Sequence, residues 1–131
     1  MSFLNLGRRA TRPIVQQEQI VTWQLSGTGT ALGTTGRFWW PVSDIVFTTL
    51  STGGETISVS ASKGNGQTVT PIIYSKTTNL TVTSTTLATG TYYIKLWQLG
   101  DIATLTFTKS AGVNNGIVSG VAVKQSYNTQ G

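Results

Sequence analysis

Only four side chains of this 131-residue chain carry a carboxylate, and the chain contains neither histidine nor cysteine. The lack of histidine excludes catalytic triads with an imidazole base, and the lack of cysteine excludes a thiol nucleophile. A glycosidase-type carboxylate pair would require Asp44 and Asp101 to converge in the fold, since such pairs can come from distant strands. Each of these aspartates, however, stands beside the start of an apolar stretch, where a lone Asp usually serves a turn. We therefore expect no enzymatic activity, no metal site and no cofactor.

Aromatic side chains supply the other candidate chemistry. In residues 38–40 (FWW), neighbouring side chains of an extended segment point to opposite faces, so one of Trp39 and Trp40 must point outward. Tyr93 and Trp97 present a similar ambiguity beside a lysine. Outward aromatic rings are enriched at protein interfaces, and next to a cation they can stack on sugars or bases. Core packing, a subunit interface and ligand binding therefore all remain open for these four residues.

The first eighteen residues differ from the rest in charge. The first twelve positions hold three of the nine basic residues, while the chain after them carries six basic and four acidic residues and is nearly neutral. Such a segment is expected to be an extended arm that docks on an acidic surface or on nucleic acid, the alternative being a solvated, disordered terminus. Its predicted binding residues are an apolar tip and the arginines that follow: Phe3, Leu4, Leu6, Arg8, Arg9 and Arg12. The apolar tip is too short for an export signal, and no apolar run reaches the roughly 18 residues that span a bilayer.

Residues 19–125 must then form the body that positions these groups. The chain contains 24 Thr and 12 Ser but only 10% charged residues, and branched Thr favours strands. Apolar residues alternate with Thr over residues 103–109, which places Ala103, Leu105 and Phe107 inward. Strands are likewise predicted at residues 68–74, 79–84 and 91–97.

Eight or nine such strands at spacings near ten residues, separated by Gly, Asn and Ser clusters, predict an all-β fold. The predicted architecture is an antiparallel β-sandwich, of jelly-roll or Ig-like type, with an extended N-terminal arm. Its predicted parts are the basic arm at 1–18, the sandwich at 19–125 and a polar tail at 126–131.

The second half of the chain resembles small β-sandwich virion proteins of tailed bacteriophages, of the head decoration (cement) or head-fibre type. The resemblance lies in residues 56–61 (TISVSA), 63–66 (KGNG), 87–94 (LATGTYYI) and 103–107 (ATLTF). It implies a non-enzymatic structural protein, made in the host cytoplasm and located in the virion. Its implied partners are the major capsid protein or other virion subunits, and it is expected to be a homo-oligomer, a trimer as the first guess.

Three functions remain in view. The first is a capsid decoration protein that binds the major capsid protein through its arm and sheet edges. The second is a receptor- or carbohydrate-binding fibre module that uses its tryptophans as a sugar platform. The third is a shell-forming coat protein whose arginines contact packaged nucleic acid. The first is favoured, so neither nucleic acid nor a membrane is expected as a partner.

Overall fold

Apolar and hydroxyl side chains alternate along most of the chain, and this period of two builds antiparallel strands with one buried face. A computed structural model describes residues 18–39 and 42–125. Within these ranges no helix is long and apolar enough to cross a membrane. The elements are β1 (Glu18–Gly27), β2 (Ala31–Thr34), β3 (Phe38–Trp39), β4 (Val42–Ser51), β5 (Ile57–Lys63), β6 (Thr68–Val69), β7 (Tyr74–Ser75), β8 (Thr86–Leu87), β9 (Gly90–Lys95), a 3₁₀ turn (Leu96–Gln98), β10 (Ile102–Lys109) and β11 (Gly116–Gln125).

Two antiparallel sheets face each other, which confirms the predicted β-sandwich. The first sheet has the strand order β1-β11-β4-β9-β7. The second has the order β2-β10-β5-β6, with β3 also paired to β10 and β8 also paired to β5. The predicted arm and tail lie outside the described residues, apart from residue 18, which begins β1.

The inward faces of the two sheets meet around three aromatic rings. Phe107 of the second sheet lies between two rings of the first, with centroid distances of 5.7 Å to Trp23 and 5.3 Å to Phe47. Gly120 pairs with Trp23 on one side and with Phe47 on the other. Phe47 and Phe107 are fully buried, whereas Trp23 is partly exposed. The two sheets are thus held together by aromatic packing across the middle of the sandwich.

Two of the predicted strands do not form as continuous strands in the structure. Residues 68–74 do not form one strand, because the chain crosses from the second sheet to the first between β6 and β7, around Pro71. Proline lacks the N–H that a continuous ladder needs. Residues 79–84 form a turn and a single bridge instead of a strand. Asn79 has a φ of 60°, and the hydroxyl of Thr78 accepts the Leu80 N–H at 3.2 Å, so the segment begins in a tight turn. After the turn it pairs only briefly with residues 73–75, through hydrogen bonds of 2.9 Å from Ser75 N–H to Leu80 O and from Val82 N–H to Ile73 O.

A buried cation fastens three loops at one end of the sandwich. Lys109 exposes only 4% of its surface, and its Nζ donates hydrogen bonds to the carbonyl oxygens of Thr28 at 3.0 Å and Ala111 at 2.8 Å. The same Nζ lies 3.7 Å from Glu55 Oε1, which also accepts a hydrogen bond from Ser51 Oγ at 2.9 Å. We call this group the Lys109 clasp. It lies at the end of the sandwich opposite to the first residue of β1.

Candidate interaction surface at the arm end of the sandwich

At the end of the sandwich opposite the Lys109 clasp, the first strand begins and the last strand ends. Glu18 pairs with Gln125 at this end, and Val42 and Lys95 are the neighbouring strand ends of the same sheet. Since residues 1–17 precede Glu18, the predicted arm attaches to the body here. We call it the arm end. Strand β3 and the 3₁₀ turn lie at the same end and carry two of the predicted interface aromatics.

Trp39 points outward because its strand partner fixes the alternation. Strand β3 pairs with the start of β10, Phe38 opposite Ala103 and Trp39 opposite Ile102. Phe38 enters the core and is 7% exposed, so the next side chain along the strand must face away, and Trp39 is 53% exposed. Trp40 lies outside the described residues.

Trp97 is exposed because the strand that precedes it ends early. The sequence predicted a strand through residue 97, but β9 stops at Lys95 and the chain enters the 3₁₀ turn. The carbonyl oxygen of Leu96 accepts the N–H of Leu99 at 2.8 Å and that of Gly100 at 3.2 Å, and the buried Leu96 and Leu99 side chains anchor the turn. These contacts leave Trp97 at the outer side, 73% exposed.

Tyr93 does not stand alone. Its ring stacks on that of Tyr74, which lies opposite on β7, with centroids 5.0 Å apart and planes 9° from parallel. Lys76 Nζ lies 5.4 Å from the Tyr93 ring centre, and Lys95 Nζ lies 5.1 Å from the Tyr74 ring centre. Gln98 donates a hydrogen bond from Nε2 to the Tyr74 hydroxyl at 3.1 Å. The tyrosine pair therefore ties the edge of the first sheet to the 3₁₀ turn.

A small apolar cavity opens between the two sheets at the arm end. It encloses about 190 Å³, and its apolar walls include Trp23, Phe38, Val42 and Ala122. Trp39 stands at the same cavity, and Arg37 and Lys124 supply its two charged lining groups. Phe38 lies 6.1 Å from Trp23 between ring centres, so the wall on this side is aromatic.

A second hollow adjoins the first. Its lining includes Val42, Trp97 and Asp101, and it encloses about 150 Å³. Since Val42 belongs to both hollows, Trp39 and Trp97 border adjoining parts of one surface. The arm end thus combines two exposed indole rings, small apolar hollows and charges at their margins, which is the composition of a protein interaction surface.

The indole nitrogen of Trp23 is a buried donor with no acceptor among the described residues. Trp23 Nε1 has no hydrogen-bond partner in the part of the chain that the structure describes. Burying such a group unpaired costs about 1–3 kcal/mol. Trp23, Arg37, Tyr74 and Lys124 were not among the site residues predicted from the sequence. The β1 alternation alone could have placed Trp23 inward, but its neighbours at the cavity come from distant parts of the chain.

The candidate acids occupy separate surroundings. Asp44 pairs with Lys95 across β4 and β9, while Asp101 follows the 3₁₀ turn and lines the hollow beside Trp97. Among the described side chains, no group of three or more Asp and Glu residues could hold a metal ion. The arrangement at the arm end suits binding through aromatic and apolar contacts.

One solved structure has a fold similar to that of this chain. The crystal structure of the SPBc2 prophage-derived protein YomS is similar to this chain, with a TM-score of 0.60 and 14% sequence identity. The match covers 88% of this chain and 100% of that one. No family model matches the sequence, and no curated protein matches it. At this level of identity, the likeness shows that the two chains share a fold.

Proposed function

We propose that this chain is a non-enzymatic structural protein of a bacteriophage virion, and specifically a capsid decoration (cement) protein that binds the major capsid protein. The observation that carries the proposal is the position of Trp39 and Trp97, two exposed indole rings on the end of the sandwich to which the basic arm attaches. Exposed tryptophans beside small apolar hollows are typical anchors of protein interfaces. The shared fold with a prophage-derived protein and the resemblance to virion sandwiches support the same assignment.

The proposed binding uses two elements, the arm and the arm end. Residues 1–12 bring three arginines and an apolar tip, and the arm end brings the two tryptophans. The arginines suit an acidic capsid surface, and the indole rings suit a desolvated contact at its centre. We include in the proposal that the protein works as a homo-oligomer, with three copies as the first guess, which light scattering of the purified protein would test.

The test is co-sedimentation with the phage particles whose genome encodes this chain. Wild-type protein is expected to bind at a fixed ratio to the major capsid protein. A chain lacking residues 1–12 is expected to stay folded, as judged by circular dichroism, and to lose binding. Full binding by the truncated chain would remove the arm from the proposal, and failure of the wild-type chain to bind any particle would overturn the proposal itself.

A carbohydrate-binding fibre module is the second candidate. The observation that favours it is the 73% exposure of Trp97 beside Asp101, since a flat ring next to a carboxylate suits a sugar face and its hydroxyls. A glycan array with wild-type protein and with Trp97→Ala separates the two candidates. Glycan binding that disappears in Trp97→Ala, without capsid binding, would favour the fibre module.

A further inference from the structure

The size of the cavity between the sheets sets the class of occupant. Pockets for drug-sized ligands enclose roughly 300–1,000 Å³, whereas an apolar cavity of about 150 Å³ already binds benzene. The cavity beside Trp23, Phe38 and Val42 encloses about 190 Å³. It therefore has room for one apolar side chain and is too small for a larger organic ligand.

The charged residues at the cavity indicate the charge of the segment that would bind there. Its two charged lining groups are Arg37, which is exposed, and Lys124, which is partly exposed. The ion pair found among the described side chains joins Lys109 to Glu55. Neither Arg37 nor Lys124 therefore has a carboxylate partner in the described part of the chain. Two cations beside an apolar hollow complement a segment in which acidic residues flank an apolar one.

The aromatic wall of the cavity suits an apolar occupant. Trp23 and Phe38 line it, with ring centres 6.1 Å apart. The Trp23 Nε1 atom is buried and has no acceptor among the described atoms, so a bound group is not expected to reach it. A side chain that enters the cavity would contact the ring, and the indole N–H signal of Trp23 would report that contact.

The chain's own arm does not fit these requirements. Residues 1–17 contain three arginines and no acidic residue. An arm with its apolar tip in the cavity would bring Arg8 and Arg9 toward Arg37 and Lys124, and like charges repel at such distances. The same objection applies to the arm of a second copy.

We propose that the cavity beside Trp23 receives one apolar side chain from an acidic segment of the partner protein, whose carboxylates pair with Arg37 and Lys124. This inference rests on the proposed function only in requiring a protein partner. It adds a second contact, separate from the arm and with the same preference for an acidic partner. The arm would bind an acidic surface in general, whereas the cavity would bind only an acidic segment that carries a suitable apolar side chain.

The test uses blocked pentapeptides as probes and the full-length chain as receptor. The probe is acetyl-Glu-Glu-Phe-Glu-Glu-amide, and its two controls replace Phe by Ala or all four Glu by Lys. Binding is followed by the nuclear magnetic resonance signal of the Trp23 indole N–H, assigned by triple-resonance methods. The acidic Phe peptide is expected to shift that signal and to bind about tenfold more tightly than either control.

Two charge-reversed variants test the cations. Arg37→Glu with Lys124→Glu is expected to weaken binding of the acidic peptide about tenfold and to strengthen binding of the basic one. Lys63→Glu with Lys76→Glu is the matched control, because it makes the same change in net charge at exposed residues outside the cavity lining. The control is expected to bind the acidic peptide nearly as the wild type does.

Several results would overturn the inference. They are equal binding of the acidic and basic peptides, binding that leaves the Trp23 signal unmoved, and tight binding of a peptide copied from residues 1–12. The outcome is separable from that of the proposed function. If the protein binds particles but not the peptide, the proposed function stands and this site is wrong. If it binds the peptide but no particle, the site stands and the proposed function is wrong.

Discussion

The indole ring of Trp23 lies directly against the Cα of Gly120 on the neighbouring strand. A Cβ atom built on Gly120 would overlap Cζ2 and Cε2 of that ring. The ring occupies this place because Phe107 of the opposite sheet packs on its inner side and Phe38 on its edge toward the arm end. Gly120 is therefore a packing requirement for the aromatic core and for the wall of the cavity.

Gly120→Ala is expected to destabilise the protein by about 1–3 kcal/mol, because the added methyl group must displace the ring or bend the strand. The measurement is the urea unfolding midpoint followed by tryptophan fluorescence. Gly29→Ala is the matched control, since a Cβ built there meets no atom within 4 Å. It is expected to change stability by less than about 0.5 kcal/mol. Equal midpoints for the two variants would contradict the packing described for Trp23.

The Lys109 clasp predicts a dependence of stability on pH. Desolvation raises the pKa of Glu55, but the Ser51 hydrogen bond, the Lys109 ammonium and the Asn114 hydrogen bonds together hold that pKa below its ordinary value of 4.5. Because folding lowers this pKa, the Glu55 contribution is fully present above the unfolded value and is lost as the pH falls through the folded value.

Glu55→Gln is therefore expected to be less stable than the wild type near neutral pH, and the two proteins are expected to converge as the pH falls below about 4.5. The measurement is the difference in unfolding free energy across that range. Asp101→Gln is the control for loss of a carboxylate outside the clasp. A difference between Glu55→Gln and wild type that stays constant through the acid range would contradict the described role of the carboxylate.

The stacked tyrosine pair predicts a measurable coupling. Tyr74→Ala and Tyr93→Ala, alone and together, form a double-mutant cycle in which the coupling free energy is expected to be about 0.5–1.5 kcal/mol. Chemical denaturation of the four proteins provides the measurement. Additive losses, with no coupling, would show that the two rings do not stabilise each other at 5.0 Å in solution.

Substitution of an exposed tryptophan is expected to weaken partner binding without lowering the free energy of unfolding. Trp97→Ala is expected to change the unfolding free energy by less than about 0.5 kcal/mol, because this ring is 73% exposed. Trp23→Ala, which removes a ring of the core, is expected to cost about 3–5 kcal/mol. A large loss of stability in Trp97→Ala would mean that the ring supports the fold and not an interface.

The predictable part of this fold was the part governed by local alternation. The expected inward residues Ala103, Leu105 and Phe107 are all fully buried, because β10 is central in its sheet and one face of it meets the core. The 79–84 stretch alternates equally well but forms only a single bridge, since its first residue, Asn79, is left-handed and the Leu80 N–H is bound to Thr78 Oγ1.

The candidate surface was predictable only in part, because it depends on contacts between distant segments. Trp39 and Trp97 could be identified from composition, and the structure places both at the arm end. The partner of Tyr93 could not be identified, because β7 and β9 are separated by a loop and pair through a register that sequence spacing does not reveal. The cavity likewise joins Trp23, Phe38 and Ala122 from three separate strands.

Docking through the arm end is the central claim, and co-sedimentation of the Trp39→Ala, Trp97→Ala double variant with phage particles tests it most directly. The particles are those of the proposed function, and the Leu50→Ala, Val113→Ala variant serves as the control, because it shortens two exposed apolar side chains at the opposite end of the sandwich. We predict that the control binds as wild type does, while the double variant remains folded and binds at least about tenfold more weakly. Wild-type binding by the folded double variant would contradict the claim.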